Sequence, residues 1–316
     1  MGNSRENKHA NMKQIPLLLV LCLLPLLPAQ AGTPLEQSLR RVIASVRGTV
    51  GIAVITDEGD TLTLNNGEPY PLMSVMKLHQ AIYVAHWLSR QGLDMDYEVT
   101  VEPSDLKPDT YSPLRDRHPE GGFKMRIGEL LAYTLQLSDN NACDLLFRLT
   151  GGPRATNAHI RKQWHGRRFA IAATEEDMHR DPSLCHANHS TPLEAALLIH
   201  RLFNDTLPDP NLQHVRRLLL DCRTGLQRIP AGISGPDVQI AHKTGTSDRD
   251  ASGRWTALND VAHVRLPDGR GYSLAVFIKD SWEDMEENER IMARVSALVY
   301  EVFREKALGN PLLFAR

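Results

Sequence analysis

The patterning of this chain changes twice along its length, and that change most limits its fold. Strand-like segments occur only near the two ends. An amphipathic helix, with Leu35, Leu39, Val42 and Val46 on one face, precedes two short strands at Val50–Ile55 and Thr61–Leu64. The turn-forming run Asp57-Glu58-Gly59-Asp60 joins them. Three more strands, Val238–Ala241, Asn259–Leu266 and Tyr272–Lys279, come late and are followed by a long helix over Met285–Lys306. Between them, to about Thr224, the pattern is almost wholly helical. Such an order predicts an α+β fold in which both ends build one sheet and the middle is an all-helical insertion. The expected division is residues 32–72 with 228–316 for the sheet part, and 73–227 for the helical part.

Within the middle, Ile127–Leu137 and Asn141–Leu149 read as helices, the second stopped by Gly151-Gly152. Thr191-Pro192-Leu193-Glu194 has the residues of a capping box opening a helix, and Leu212–Leu220 follows a Pro208-Asp209-Pro210 break. The stretch from Thr174 to Asn188 has no clear period and is expected to be an irregular loop, long enough to imply a function.

The first 31 of the 316 residues have the grammar of a cleaved export signal. Arg5, Lys8 and Lys13 precede an apolar run from Ile15 to Leu27, and Ala29-Gln30-Ala31 supplies small residues for cleavage. The run is too short for a membrane span. Cys22 inside it lacks the small neighbour of a lipid-attachment site. Export to the periplasm, with no membrane attachment afterwards, is the expectation. A net charge of −2 argues against nucleic acid or a membrane surface as partner. Cys143, Cys185 and Cys222 remain after cleavage; the odd number leaves a thiol unpaired and rules out a disulfide framework. Cys185, His186 and His189 lack a fourth metal ligand, so no metal is expected.

Three short motifs carry chemistry. Ser74-Val75-Met76-Lys77 places a hydroxyl and an amine three residues apart, on one side of a helix whose apolar face includes Val75, Leu78, Ile82 and Ala85. A serine becomes nucleophilic when a neighbouring base takes its proton. Ser74 near the start of that helix also has free backbone N–H groups that favour developing negative charge. Alone, such a pair is expected by chance in roughly half of chains like this. Ser138-Asp139-Asn140 falls at the end of the Ile127 helix, and Lys243-Thr244-Gly245 on or just after the first late strand. By composition each of these arises by chance roughly 0.03 to 0.05 times, and all three in this order well under roughly once in a thousand chains.

This trio resembles the class A serine β-lactamases, relatives of the penicillin-binding transpeptidases. The likeness extends over essentially the whole mature chain, through Leu258-Asn259-Asp260-Val261 and the segment from Leu274 to Ser281. His242-Lys243-Thr244-Gly245-Thr246 and Thr174-Glu175-Glu176-Asp177-Met178-His179 are most similar to the PER-type extended-spectrum enzymes. The resemblance implies a monomeric enzyme that needs no cofactor and hydrolyses penicillins and cephalosporins through an acyl-serine, oxyimino-cephalosporins included. It implies Ser74 as nucleophile, Lys77 as its proton partner, and Ser138 as proton donor to the leaving lactam nitrogen. Glu175 would activate the water that clears the ester, with Glu176 and Asp177 close enough in sequence to be confused with it. Asn140 would hold the acyl-amide side chain. Lys243, Thr244, Gly245 and Thr246 would grip the substrate carboxylate, with Arg228 as a second positive charge, and the N–H groups of Ser74 and Thr246 would form the oxyanion hole. His179 stands where the family often has an asparagine beside the hydrolytic water. Ala173 and Asn188 replace an Arg–Asp ion pair that closes the loop in many members. The competing readings are a penicillin-binding DD-peptidase, a non-hydrolytic β-lactam sensor domain, and a metallo-enzyme. The first shares the Ser–Lys chemistry but lacks the deacylating acid, the second would carry a transmembrane signalling segment beyond the export signal, and the third lacks ligands.

Overall fold

In the computed structural model, helix α1 (Pro34–Ile43) leads into β1 (Thr49–Thr56), β2 (Thr61–Leu64) and the short β3 (Tyr70–Pro71). Residues 1–2, 32–206 and 208–306 are described. The expected leader with Cys22 lies outside them, its first two residues excepted. The middle holds α2 (Met76–Gln91), β4 (Glu98–Val101), α3 (Pro113–Arg117), β5 (Phe123–Arg126), α4 (Ile127–Gln136), α5 (Asn140–Thr150) and α6 (Gly152–Gln163). Then follow β6 (Phe169–Ala170), α7 (Glu175–Arg180), β7 (His189–Ser190), α8 (Pro192–Asn204) and α9 (Pro210–Leu220). Strands β8 (Gln239–Thr246), β9 (Trp255–Arg265) and β10 (Gly271–Ser281) precede the closing helix α10 (Met285–Lys306).

Both ends of the chain do build one sheet, in the order β2-β1-β10-β9-β8. Thr49 pairs with Lys279 and Thr56 with Tyr272, so the first strand and the last lie side by side along their whole length. Each is buried on both faces, and their alternation sorts side chains into two cores. Val50, Ile52 and Val54, with Leu274, Val276 and Ile278, face the layer of α1 and α10. Ala53 and Ile55, with Ala275 and Phe277, face the helical layer. Among the described residues no helix is long and apolar enough to cross a membrane.

The stretch from Thr174 to Asn188 is more regular than its sequence implies. Thr174 caps α7 by accepting from the Asp177 N–H, and the Asp177 carboxylate accepts from the Thr174 N–H in return. After α7 comes a 3-10 turn over Pro182–Ala187, capped by Asp181. The end of α5 also differs. Gly151 takes the left-handed conformation and ends α5, as expected, but α6 starts at the very next residue. At α8, Thr191 caps the Glu194 N–H as predicted, whereas the Glu194 carboxylate instead accepts from the Arg167 and Arg168 N–H groups.

Candidate active site

Met73–Val75 forms a single 3-10 turn that runs straight into α2 and carries Ser74. Two contacts press this turn against the sheet. The Asn259 amide on β9 donates to the carbonyls of Pro71 (2.7 Å) and Leu72 (3.1 Å). Gly245 on β8 lies so close that a Cβ there would run into the Leu72 carbonyl oxygen. This explains the glycine of the Lys-Thr-Gly motif: any side chain would push the strand off the turn.

Lys77, one turn along α2, is fully buried and joins the first two motifs. Its Nζ donates to Ser74 Oγ (3.2 Å), the Ser138 carbonyl (2.7 Å) and Asn140 Oδ1 (2.7 Å), and pairs with Glu175 Oε1 at 2.9 Å. Burial works most strongly against a charge on the amine, but the Glu175 carboxylate, together with Cys143 and Asp139, outweighs it and holds the pKa above its ordinary value. Lys77 therefore rests as an ammonium. Ser138 sits in the left-handed region (φ 60°) in the short link between α4 and α5, a conformation costing roughly 1–2 kcal/mol for a residue with a Cβ. Buried Asp139 holds that link by accepting from Ser112 Oγ, the Leu114 N–H and the Ala142 N–H. From the other side, Lys243 Nζ donates to Ser138 Oγ at 3.0 Å. Burial, then the charge on Lys77, pushes the Lys243 amine down to about 7.

Of the three neighbouring acids, only Glu175 reaches the serine. Ser74 Oγ donates to its Oε1 at 3.4 Å. Glu176 points outward to Lys107, and Asp177 is taken by the cap of α7. Asp144, one turn beyond Asn140 on α5, accepts from the N–H groups of Glu175 (2.8 Å) and Glu176 (2.7 Å), and so fixes the start of α7. Burial and the nearby Glu175 charge lift the Asp144 carboxyl to about 7.

The loop is closed without an ion pair. The fully buried Asn188 amide accepts from the N–H groups of Ala172 (2.7 Å) and Ala173 (3.0 Å) and donates to the Ala173 carbonyl (2.9 Å). One neutral side chain thus ties the loop where Ala173 and Asn188 rule out an Arg–Asp pair. At about 1 kcal/mol per neutral hydrogen bond, Asn188→Ala should destabilise the fold by roughly 2–3 kcal/mol, lowering Tm by several degrees. It should also slow turnover by unseating Glu175. Thermal melts with steady-state kinetics check this; an unchanged Tm would show that the loop is held elsewhere.

Ser74, Asn140 and Thr246 lie where two lobes of one cleft meet. Tyr111 also lines both, and the smaller lobe, about 250 Å³, adds Ser138, Thr224 and Thr244. The larger, about 380 Å³, adds Glu175, His179, Ser247 and Asp248 among its walls. The expected residues are thus brought together, with Arg228 standing apart. It is buried behind β8, where it pairs with Glu289 (3.3 Å) and donates to the Gly245 and Asn259 carbonyls and to Thr246 Oγ1 (2.8 Å). Asn140 is likewise occupied at both ends, its Nδ2 donating to Thr110 Oγ1. Asp144, Tyr111 and Thr224 were not anticipated. The spacing of Asp144 four residues after Asn140 is the only sequence signal among them, since it puts both on one helix face.

Comparison with known proteins agrees with this geometry. The sequence model of the β-lactamase enzyme family matches residues 34–303. A β-lactamase of Bacteroides uniformis is 37% identical over 294 residues, spanning 91% of this chain and 97% of that protein. The extended-spectrum β-lactamase PER-1 of Pseudomonas aeruginosa is 33% identical, over 84% of this chain and 86% of its own. The crystal structure of the TLA-3 extended-spectrum β-lactamase superposes with a TM-score of 0.82 at 32% identity, covering 85% of this chain and 98% of that one. With the motif trio, the fold and these relatives in agreement, the chain belongs to the class A β-lactamases and hydrolyses β-lactams.

Proposed function

We propose that the reaction runs through Ser74, with Glu175 as the base of deacylation, and that oxyimino-cephalosporins are among the substrates. The observation that carries the first part is the triangle of Ser74 Oγ, Lys77 Nζ and Glu175 Oε1, with sides of 3.2, 2.9 and 3.4 Å. With Lys77 resting as an ammonium, Glu175 is the group able to take the serine proton. The oxygen of Ser74 adds to the lactam carbonyl carbon, and the backbone N–H groups of Ser74 and Thr246 stabilise the oxyanion. Ser138, relaying from Lys243, protonates the nitrogen as the ring C–N bond breaks. The proton on Glu175 passes back through cleft water to Lys243. Glu175, ionised again, deprotonates a water that attacks the ester. As the C–O bond to Ser74 breaks, that proton goes to Ser74 Oγ and the ring-opened acid leaves. A DD-peptidase or a stalled sensor has no such acid beneath the serine.

In this assignment the small lobe takes the ring carboxylate, beside Thr244 and Thr246, while Arg228 supplies its charge from behind through Thr246 Oγ1. Asn140 meets the acyl-amide in the large lobe, and His179 at its rim can hydrogen-bond water. The helical part (73–227) contributes Ser74, Lys77, Ser138 and Glu175, and the sheet part (32–72 with 228–316) contributes Lys243 to Thr246. The basic-then-apolar leader supports export to the periplasm.

Two observations support the oxyimino reading. PER-1 and TLA-3, relatives by sequence and structure, are extended-spectrum enzymes. The larger lobe also opens past His179 and Asp248, both exposed, with the loop tied by Asn188 on the far side. The kcat/KM for cefotaxime or ceftazidime is expected within about a hundredfold of that for benzylpenicillin, a difference below ~3 kcal/mol in barrier. Values several orders lower would exclude the oxyimino compounds and leave β-lactam hydrolysis standing.

The position of Lys243 gives a pH signature. Its charge is present below about 7 and is lost as pH rises through that value. Since kcat/KM reports free-enzyme groups, it should decline on the alkaline side of neutrality for a carboxylate-bearing substrate. Lys243→Arg, which keeps its charge at any working pH, should move that decline to higher pH. A flat profile up to pH 9 would show that Lys243 stays charged in the free enzyme.

A further inference from the structure

A second cavity, of about 350 Å³, shares no residue with the catalytic cleft. It lies between α6, α8 and β6, the strand that pairs with β7 across the ends of the active-site loop. Its walls are largely apolar, with Trp164, Phe169 and Leu198 among them, and they include His79 of α2. Hydrogen bonds hold these walls in place. The Glu194 carboxylate on α8 accepts from the N–H groups of Arg167 (3.0 Å) and Arg168 (3.2 Å). Arg201, also on α8, donates to the Trp164 carbonyl at 2.6 Å. Gly166 fits so tightly that a Cβ there would run into Phe169 and Glu194. The segment joining α6 to β6 is thus tied to α8, and the cavity is preformed.

Two observations give the cavity a chemical character. The first is inside it. His79 is only 1% exposed, and its ring packs 5.2 Å from that of Phe169. Its Nδ1 is buried with no hydrogen-bond partner among the described residues. Buried nitrogens in native folds are almost always paired, so this one calls for a partner from outside the chain. Burial pulls the imidazole down to about 4, which leaves it neutral near neutral pH. The second observation is at the rim. Arg167, Arg168 and Arg201 border the cavity against one carboxylate, Glu194, whose oxygens are already taken by backbone N–H groups. Arg168 donates to the Gly67 carbonyl, and Arg201 pairs with Asp205. The exposed Arg167 guanidinium has no partner of its own among the described residues.

We propose that this cavity binds a small aromatic carboxylate that carries a hydroxyl group on its ring. The ring lies among Trp164, Phe169 and Leu198, where aromatic groups meet in offset or edge-on contact. The carboxylate meets the Arg167 guanidinium, which grips it with two parallel N–H groups. The hydroxyl reaches His79 Nδ1. Because a hydroxyl both donates and accepts, it suits either tautomer of the neutral imidazole. Three guanidinium groups at the rim disfavour a cation, and a purely aliphatic acid leaves the His79 nitrogen unpaired. A single water would satisfy that nitrogen, but it accounts for neither the apolar walls nor a space several times its own size.

The test is isothermal titration calorimetry of the folded full chain with p-coumarate, which has the ring, the hydroxyl and the carboxylate. One molecule per chain is expected, with a submillimolar Kd. Cinnamate, without the hydroxyl, and methyl p-coumarate, without the charge, should each bind about tenfold more weakly. His79→Phe keeps a ring against Phe169 and removes the nitrogen. It should lower the affinity for p-coumarate to that for cinnamate and leave cinnamate binding unchanged. Arg167→Glu should weaken both acids about tenfold and spare the ester. Melting curves report whether each variant is folded, and if His79→Phe is not, the three ligands and Arg167→Glu still decide. Absence of binding up to about 5 mM p-coumarate would overturn the site. So would competitive inhibition of nitrocefin hydrolysis that persists in both variants, since it would put the ligand in the catalytic cleft. Equal affinities for p-coumarate and cinnamate would overturn the contact with His79. Calorimetry reads binding without turnover, so its failure is distinct from that of the roles proposed for Ser74 and Glu175.

Discussion

Ser74→Ala should abolish β-lactam hydrolysis while leaving the fold intact, with turnover of nitrocefin falling by about ten-thousandfold or more. The size follows from the chemistry: without Oγ there is no acyl-enzyme, and only binding and the oxyanion donors remain to assist water. Tolerance of the fold follows from the contacts. Ser74 Oγ bonds only to Lys77 and Glu175, and these two stay paired to each other at 2.9 Å. Lys77 also keeps the Ser138 carbonyl and Asn140 Oδ1. The backbone of the turn is held by Asn259 and by the close approach of Gly245, neither of which involves the serine side chain. Circular dichroism and Tm should match the parent, and chelators should not inhibit the parent. A variant that still turns over nitrocefin well above the uncatalysed rate would place the nucleophile elsewhere.

What could be read from the sequence was what local patterning encodes. Strand alternation in Val50–Ile55 and Tyr272–Lys279 reports burial on a sheet, and the two segments do lie in register. The helix over Met285–Lys306 was legible to the residue because its apolar period is long and unbroken. The three motifs were legible because each puts two functional groups on one short element, and the fold had only to bring three elements together. Contacts between distant segments were not legible. Nothing local tells that Asn188 holds Ala172 and Ala173, or that Asp144 on α5 seats the start of α7. Without those partners, Thr174 to Asn188 resembles a loop. Arg228 shows the same limit. Its charge was readable from the residue type, but burial behind β8 and the bond to Thr246 depend on packing among β8, β9 and α10. The capping box at α8 failed for a related reason, since a tertiary partner at Arg167–Arg168 competed for the Glu194 carboxylate.

The loss of Glu175 should have the opposite character to the loss of Ser74: the serine is acylated and then stalls. Deacylation needs a base to aim water at the ester, and its removal should slow that step by about a hundred- to ten-thousandfold. Acylation should survive better, for a reason visible in the electrostatics of Lys77. Its amine is fully buried, which alone would pull its pKa down, and the Glu175 carboxylate is what keeps it charged. In Glu175→Ala that restraint is gone, so the amine loses its proton more readily. Once deprotonated, it stands 3.2 Å from Ser74 Oγ, within reach of the serine proton. The variant thus swaps one acylation base for another but has no second group to serve the ester. Glu175→Gln preserves the shape of the side chain and removes only its basicity, so it controls for packing of α7. Mixing either variant with a cephalosporin and recording intact-protein mass over time should show a persistent adduct, mapped by digestion to the Ser74 peptide. An unchanged turnover number in both would remove Glu175 from the mechanism, and since Glu176 and Asp177 face away from the serine, the base would have to come from outside this loop.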